Sequence, residues 1–156
     1  MPGIVYKVYK ADSEFEDFMR VGRLEMELEE IQMAMRLSKK MLAPHFYGVV
    51  ASTDGRLGFA MERVNLFQFD ELPEDVLRTY NDRIRQYRDY LWQEGFTCGG
   101  DIELVGRLND TGSIPEPDNV EILLVDLSSV SRTSGLNDVE LARKTHLDTF
   151  NSRYIK

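Results

Sequence analysis

The sequence is poor in the residues that build disulfide frameworks and metal centres. It has one cysteine, Cys98, in 156 residues, and only two histidines, His45 and His146. A single cysteine excludes an internal disulfide and a cysteine-based zinc site, and two histidines argue against a histidine-rich metal site. The lone thiol is compatible with a reducing compartment.

The chain also has no apolar run long enough to span a bilayer, and its start does not have the pattern of a signal peptide. We therefore expect a cytoplasmic protein that does not bind membranes. The 27 acidic residues outnumber the 19 basic ones, which gives a formal net charge of −8. This excess of acid argues against direct nucleic-acid binding, because phosphates need basic side chains, and it permits a basic protein partner or mimicry of nucleic acid.

What the sequence does contain is a regular succession of strand and helix patterns. Residues 4–9 alternate as a strand does, and Ser13 followed by Glu16 predicts the start of a helix that reaches about Met41. The remaining predictions are strands over 45–52 and 56–64, a loop over 65–72, a helix over 73–95, a loop over 96–101, strands over 102–108 and 120–125, and a last helix capped by Asn137. This order predicts an α+β fold, with helices on mostly antiparallel sheets, in a single domain over residues 1–156.

The first predicted helix has an apolar stripe at helical spacing, made of Leu24, Leu28, Ile31 and Met35. This i, i+4, i+7 pattern predicts the buried face of the helix. Glu27 lies at the edge of the stripe, where a carboxylate needs a cation, and Lys7 on the neighbouring strand is a candidate partner. The alternative is that Glu27 reaches solvent from the boundary.

Residues 120–129 form the strand pattern on which the functional interpretation depends. The unbroken apolar run over 122–125 is typical of a strand buried on both faces, and it ends at Asp126. A carboxylate at the end of a buried strand must be paired, hydrogen-bonded or bound to a metal. The alternative is a strand that surfaces at Asp126 and turns through Ser128 and Ser129.

Several short motifs follow one another in a specific order over residues 4–130. A Val-Tyr-Lys strand is followed by a helix glutamate, Ala-Pro-His-Phe-Tyr-Gly, a hairpin ending Ala-Met-Glu-Arg-Val, and a helix ending Leu-Trp-Gln-Glu-Gly-Phe. Gly-Gly-Asp-Ile and Leu-Leu-Val-Asp-Leu come last. In this order the chain resembles a protein-kinase-like domain cut to its minimum, similar to the short bacterial effector kinases. The resemblance implies a reduced amino-terminal lobe over residues 1–64 and a reduced carboxy-terminal lobe over residues 65–156.

The resemblance also implies functional residues and cofactors. Lys7 matches the strand lysine that holds the nucleotide phosphates, and Glu27 matches its helix partner. The segment Glu62–Val64 would face the adenine of ATP. Asp101 matches the catalytic aspartate that orients the acceptor hydroxyl, and Asp126 matches the aspartate that binds magnesium.

The chain departs from the family pattern at several of these positions. Only six residues precede Lys7, too few for the glycine-rich cover over the phosphates. Gly99 and Gly100 stand where the family has His-Arg, and Gly106 stands where the second magnesium ligand should be. Leu-Ser follows Asp126 in place of Phe-Gly. Because phosphoryl transfer depends on positioning and charge neutralisation, these losses predict poor catalysis.

Three functions are compatible with these patterns. The first is a kinase-like module with a degraded nucleotide site, which needs no cofactor and binds another protein, or a second copy, through an exposed sheet edge or apolar surface. The second is an active, atypical phosphotransferase that uses ATP and magnesium with Lys7, Glu27, Asp101 and Asp126. The third is an acidic inhibitor that mimics nucleic acid.

Overall fold

The computed structural model describes residues 3–9 and 17–156, with side chains in the second range from residue 22 onward. This part of the chain contains eight strands and four α-helices, and all of its strand pairings are antiparallel. The predicted α+β class is therefore confirmed. The contacts within the chain divide it into two compact units, Met1–Val64 and Asn65–Lys156.

The first unit is a three-stranded sheet with one long helix. Its elements are β1 (Ile4–Val8), α1 (Asp17–Lys39), β2 (Phe46–Ala51) and β3 (Leu57–Glu62). The sheet order is β1-β3-β2, so the last strand lies in the middle. The predicted hairpin between β2 and β3 turns at Gly55, which has a φ of 82° that glycine adopts without strain. The predicted capping pair, Ser13 and Glu16, lies outside the described residues.

The face that α1 buries differs from the predicted one. Leu24, Leu28 and Met35 are 47%, 43% and 36% exposed, so the prediction that this stripe forms the core face was wrong for these three residues. The buried face instead includes Ala34 and Leu37, at 2% and 0% exposure, and lies roughly a third of a turn around the helix. This face also carries Glu30, which is paired with Lys7 of β1.

The second unit contains three short helices and two small sheets. Its elements are β4 (Leu66–Gln68), a 3-10 turn (Phe69–Glu71), α2 (Glu74–Thr79), α3 (Asn81–Gln93), β5 (Phe96–Cys98), β6 (Glu103–Arg107), β7 (Ile122–Asp126), β8 (Val130–Arg132) and α4 (Val139–Tyr154). One sheet has the order β4-β6-β7, and the other pairs β5 with β8.

Three predictions about the second unit need correction. Both predicted loops contain short strands, because β4 pairs with β6 and β5 pairs with β8, contacts that no local pattern reveals. The helix predicted over 73–95 is divided at Tyr80 into α2 and α3. The last helix is capped by Asp138, whose carboxylate accepts from the Leu141 amide, and not by the predicted Asn137.

Part of the core of the second unit lies where the carboxy-terminal end of α4 meets the β4-β6-β7 sheet. Six apolar residues that lie in β6 and β7 or directly beside them are at most 4% exposed, namely Ile102, Leu104, Val105, Ile122, Leu123 and Leu124. Tyr154 of α4 lies fully buried against them. Its hydroxyl accepts a hydrogen bond from the Leu104 amide and donates one to the Ile102 carbonyl, both at 3.0 Å. The helix thereby satisfies backbone groups at the start of β6 that the sheet does not pair.

Candidate functional site

In the first unit, a strand lysine is bound by a helix glutamate. Lys7 of β1 forms an ion pair with Glu30 of α1, and the Tyr9 hydroxyl donates to the second oxygen of the same carboxylate at 2.8 Å. The Glu30 side chain is only 11% exposed, whereas that of Lys7 is 44% exposed. One buried carboxylate thus receives a cation and a hydroxyl from the sheet.

Glu27 lies one helical turn before Glu30 in the same cluster. It accepts a hydrogen bond from Arg23 of α1 at 2.8 Å, and both side chains are largely buried, at 13% and 16% exposure. Glu27 therefore has the cationic partner that its position required, and the ion pair of Lys7 is with Glu30. Glu30 is four residues before Ala34 and seven before Leu37, a spacing that would have indicated its buried side in the sequence.

Tyr9 is held in its neutral form by this cluster. Burial raises the pKa of the Tyr9 phenol well above its usual range, and the hydrogen bond to Glu30 and the negative charges of Glu30 and Glu27 raise it further. Tyr9 therefore remains a proton donor to Glu30 at any physiological pH. A tyrosine at the end of a strand is common, so no local pattern in the sequence distinguishes Tyr9.

The predicted adenine-facing segment begins where β3 ends. Glu62 is the last residue of β3 and lies opposite Ile4 of β1 in the strand register. One carboxylate oxygen of Glu62 is 3.4 Å from the His45 amide, which donates to it. Val64 is half-buried and is the last residue of the first unit.

In the second unit, Asp126 is the last residue of β7 and closes a turn. Its Oδ1 atom accepts hydrogen bonds from the Ser128 amide at 3.1 Å and the Ser128 hydroxyl at 2.7 Å. The strand Ile122–Asp126 is buried over its first three residues and surfaces over its last two. This geometry matches the alternative that the sequence left open, a strand that surfaces at Asp126 and turns through Ser128.

Asp101 lies in the turn between β5 and β6, close to the turn after Asp126. The Gly99 amide donates to the Ser129 carbonyl at 2.7 Å, which joins the two turns directly. Glu103, at the start of β6, lies opposite Asp126 at the end of β7. Asp101 and Asp126 therefore lie at the same end of the β6–β7 pair, and Asp101 is exposed. Both belong to the second unit, whereas Lys7 and Glu27 belong to the first.

The structure gives a physical reason for glycine at position 106. Gly106 lies opposite Phe67 of β4, and a Cβ atom at this position would overlap two carbons of the Phe67 ring. The ring also contacts Phe69 and Tyr80, at centroid distances of 5.0 and 6.2 Å. Any larger side chain, including the asparagine of the kinase pattern, would displace this aromatic cluster.

A cleft of about 430 Å³ opens beside the two turns of the second unit. Its lining includes Cys98, Ser129, Leu141 and Thr145, and Asp138 is the one charged residue among the residues that line it. This lining offers no cation for a phosphate group. Burial raises the pKa of the Cys98 thiol to about 12, so at neutral pH the thiol stays protonated and is a poor nucleophile.

The described residues hold neither a cluster of metal ligands nor a membrane-spanning helix. Within residues 3–9 and 17–156, no group of three or more His, Cys, Asp or Glu side chains is arranged to hold a metal ion. In the same part of the chain, no helix combines the length and the apolar character needed to cross a membrane.

One exposed apolar feature of the first unit is β1. Because Lys7 faces α1, the alternating side chains of Ile4, Tyr6 and Val8 lie on the opposite face of the sheet, and they are 46%, 64% and 40% exposed. We call these three side chains the outer β1 face. In the described part of the chain, β1 pairs with β3 alone and is an edge strand.

The backbone of β1 is also available at this edge. The Tyr9 amide donates to the Leu57 carbonyl at 3.0 Å, and the Arg63 amide donates to the Gly3 carbonyl at 2.8 Å. Odd-numbered residues of β1 therefore bond to β3. Since backbone groups alternate along a strand, the amides and carbonyls of Ile4, Tyr6 and Val8 point away from β3. The same three residues supply both the apolar face and the unpaired backbone groups.

Comparison of the chain with known proteins found no match. No protein family, no curated protein and no solved structure matches the chain.

Proposed function

We propose that this chain is a cytoplasmic protein-binding module, built on a reduced kinase-like fold, which binds an extended segment of another protein at β1. The observation that carries this proposal is the outer β1 face with its unpaired backbone edge. An edge strand that offers both backbone hydrogen bonds and apolar side chains is the arrangement used when a peptide adds a strand to a sheet.

The chemistry of β1 defines the partner segment. Its backbone would pair with the outward amides and carbonyls of Ile4, Tyr6 and Val8, which supplies affinity without regard to sequence. Its apolar side chains, two residues apart, would cover the outer β1 face, which supplies specificity. The expected ligand is therefore an extended peptide with alternating apolar residues.

A displayed library of random peptides, selected against the intact chain, tests this proposal. We expect the selected peptides to share apolar residues at every second position. Binding should be lost in Tyr6→Pro, which removes an outward amide and leaves the bonds of β1 to β3 in place. Tyr47→Ala is the matched control, because Tyr47 is an exposed tyrosine on β2.

The proposal is contradicted if the selected peptides bind Tyr6→Pro as tightly as the unaltered chain. It is also contradicted if Tyr47→Ala weakens binding as much as Tyr6→Pro does. Circular dichroism of each variant separates loss of the β1 edge from loss of the fold.

A second candidate function, ATP- and magnesium-dependent phosphoryl transfer, is favoured by one specific observation. A strand lysine held by a helix glutamate is the ion pair on which kinases depend, and Lys7 and Glu30 form such a pair. Lys7 would hold the nucleotide phosphates, and Asp126 would bind magnesium. The turn bonds from Ser128 occupy Oδ1 of Asp126, so binding there would require the second oxygen or a rearranged turn.

Calorimetric titration with ATP and magnesium distinguishes the two functions. The binding-module proposal predicts no heat of binding. Heat that disappears in Lys7→Ala, and whose magnesium-dependent part disappears in Asp126→Ala, would instead favour the second function. Arg63→Ala, an exposed residue of the same unit, serves as the control.

A further inference from the structure

The open edge of β1 is regular along its whole length. The strand is five residues long and pairs with β3 in an unbroken register. The other edge strand of this sheet, β2, has an irregular register between Phe46 and Gly48, and such an irregularity disrupts a free edge. Among the described strands of the first unit, β1 therefore offers the edge that best accepts another strand.

The free backbone groups of β1 form a symmetric set centred on Tyr6. Ile4 and Val8 lie two residues before and after it, and the amides and carbonyls of all three point away from β3. When a second copy of β1 lies antiparallel with Tyr6 opposite its own copy, Ile4 lies opposite Val8 of the other copy. Each of these pairs then exchanges two hydrogen bonds, so every outward backbone group of the three residues has a partner.

The side chains fit the same register. On the outer β1 face, Ile4 lies beside Val8 of the other copy and the two Tyr6 rings are neighbours, which are favourable cross-strand pairs. On the face toward α1, Val5 lies opposite Lys7 of the other copy. The two Lys7 residues are then diagonal neighbours, with Cα atoms about 7–8 Å apart, and each lysine is already paired with its own Glu30.

A shift of the register by two residues removes this fit. In one direction Lys7 lies opposite its own copy on the twofold axis, and like charges directly opposite one another destabilise a strand pair. In the other direction Val5 lies on the axis, and Val8 has no partner within β1. The register centred on Tyr6 is therefore the one that uses the whole free edge.

The helix leaves the edge of β1 accessible. Val5 and Lys7 lie on the face toward α1, yet Val5 is 38% exposed and the Lys7 side chain is 44% exposed. In the described part of the chain, α1 packs mainly on β2 and β3. A second strand can therefore approach β1 beside the helix.

We propose that two copies of the chain pair through β1, antiparallel about a twofold axis at Tyr6, and that this pairing excludes the extended peptide. The proposal rests on the proposed function, because peptide and second copy use the same backbone groups. It makes self-association the regulator of peptide binding, since only the monomer has a free edge.

The small size of β1 sets the strength of this pairing. Five residues from each copy bury less than the roughly 800 Å² per partner of a standard stable interface. We therefore expect a dimer that dissociates on dilution. In sedimentation, the mean mass should rise with concentration from the monomer value of 18.1 kDa toward twice that value. The amides of Ile4, Tyr6 and Val8 should exchange freely in dilute protein and become protected in concentrated protein.

Paired cysteine variants of the intact chain test the register. Two residues that exchange hydrogen bonds across antiparallel strands have Cα atoms about 5.5 Å apart, within the span of about 4.4–6.8 Å that a disulfide bridges. A mixture of Ile4→Cys and Val8→Cys should therefore form a disulfide-linked dimer on mild oxidation. Neither variant alone should do so, because four residues of strand, about 13 Å, separate each position from its own copy.

The matched control is a mixture of Ile4→Cys with Val49→Cys. Val49 is 59% exposed and lies on β2, the other edge strand of the same sheet, so this mixture should not form the linked dimer. The unaltered chain should not form it either, because its own thiol, Cys98, is 2% exposed. Circular dichroism confirms that each variant retains the fold.

Three outcomes would overturn the proposal: a chain that stays monomeric at every concentration, a control mixture that cross-links as much as the mixture of positions 4 and 8, or a variant that cross-links equally well alone. An excess of a peptide selected for binding to β1 should suppress the cross-link. A peptide that binds and leaves the cross-link unchanged would also overturn the proposal, because the two would then not share the edge.

The pairing of β1 and the proposed function can fail separately in these experiments. A chain that selects alternating apolar peptides and never dimerises retains the proposed function and overturns the self-pairing. A chain that cross-links between positions 4 and 8 but selects no peptide supports the self-pairing and contradicts the proposed function.

Discussion

At the scale of single residues, His146 is held neutral inside the second unit. It is 0% exposed, its Nδ1 atom accepts from the Cys98 amide at 3.2 Å, and its Nε2 atom donates to the Arg88 carbonyl at 3.1 Å. The rings of Trp92 and Phe150 lie 5.5 and 5.0 Å from it. Burial lowers the pKa of His146, against the opposing effects of the Arg88 carbonyl and the Asp89 carboxylate.

This environment predicts a loss of stability in mild acid. The unfolded chain binds a proton at His146 near pH 6.5, and the folded chain binds it only at lower pH. The free energy of unfolding should therefore fall as pH decreases below 6.5, by at most about 1.4 kcal/mol per pH unit from this group. Urea denaturation of the unaltered chain and of His146→Gln measures it. Equal pH slopes in the two proteins would contradict the prediction.

Asp126 shows that a sequence pattern can predict where a carboxylate lies in the fold without predicting what the carboxylate binds. The pattern of an apolar run ending in Asp correctly predicted a buried strand with a carboxylate at its end. A metal ion and the donors of a turn would both bind the carboxylate oxygens of Asp126. The pattern therefore could not decide whether Asp126 is a metal ligand or closes a turn. The two hydrogen bonds from Ser128 to Oδ1 favour the turn, and they depend on backbone geometry that no spacing encodes.

At the scale of elements, a single glycine fixes how β4 lies on β6. Gly106→Ala would force its Cβ into the Phe67 ring, since the space between the Gly106 backbone and the ring is too small for a methyl group. We expect the free energy of unfolding to fall by about 1–3 kcal/mol, the usual cost of overpacking a core site. Chemical denaturation measures the change.

Gly135→Ala is the matched control for this substitution. No heavy atom lies within 4 Å of a Cβ at position 135, and its backbone is not left-handed. Its effect should stay within about 0.5 kcal/mol of zero, as for most surface substitutions. A Gly106→Ala protein as stable as this control would show that the aromatic cluster can shift without cost.

Most helices and strands were predictable because their signals are local. The hairpin between β2 and β3, the long first helix and the strand ending at Asp126 were all correctly expected from periodicity and turn residues. The short strands β4 and β5 were missed because three residues carry no periodicity, and their pairing with β6 and β8 is long-range. The buried face of α1 was mispredicted because the side on which the sheet packs, where Ala34 and Leu37 are buried and Glu30 meets Lys7 and Tyr9, is decided by the fold and not by the periodicity of the helix.

At the scale of the whole molecule, backbone protection is unevenly distributed. In β6, Leu104 has its amide bonded to the buried Tyr154 hydroxyl, and the strand has neighbours on both sides. In β1, the amides of Ile4, Tyr6 and Val8 point away from β3 and their side chains are exposed. Among the described residues, β6 thus has a paired strand on each side, whereas β1 has a paired strand on one side and an open edge on the other.

Hydrogen exchange should report this difference. We expect the amides of Ile4, Tyr6 and Val8 to exchange in the fastest group, because no described backbone group pairs with them. The amides of Leu104 and Val105 should exchange only through larger unfolding. Exchange measured residue by residue checks the prediction, and protection of the Tyr6 amide equal to that of Val105 would contradict it. Added peptide ligand should slow the three β1 amides.

The sequence by itself determined the class of fold, the negative net charge and the elements that carry Glu27 and Asp126, because composition and periodicity are properties of the chain alone. The tertiary structure decided which of those groups meet. It paired Lys7 with Glu30, closed the turn at Asp126 with Ser128, and left the outer β1 face exposed. The physical reason is that burial and ion pairing depend on distances between segments far apart in the chain, which local pattern does not specify.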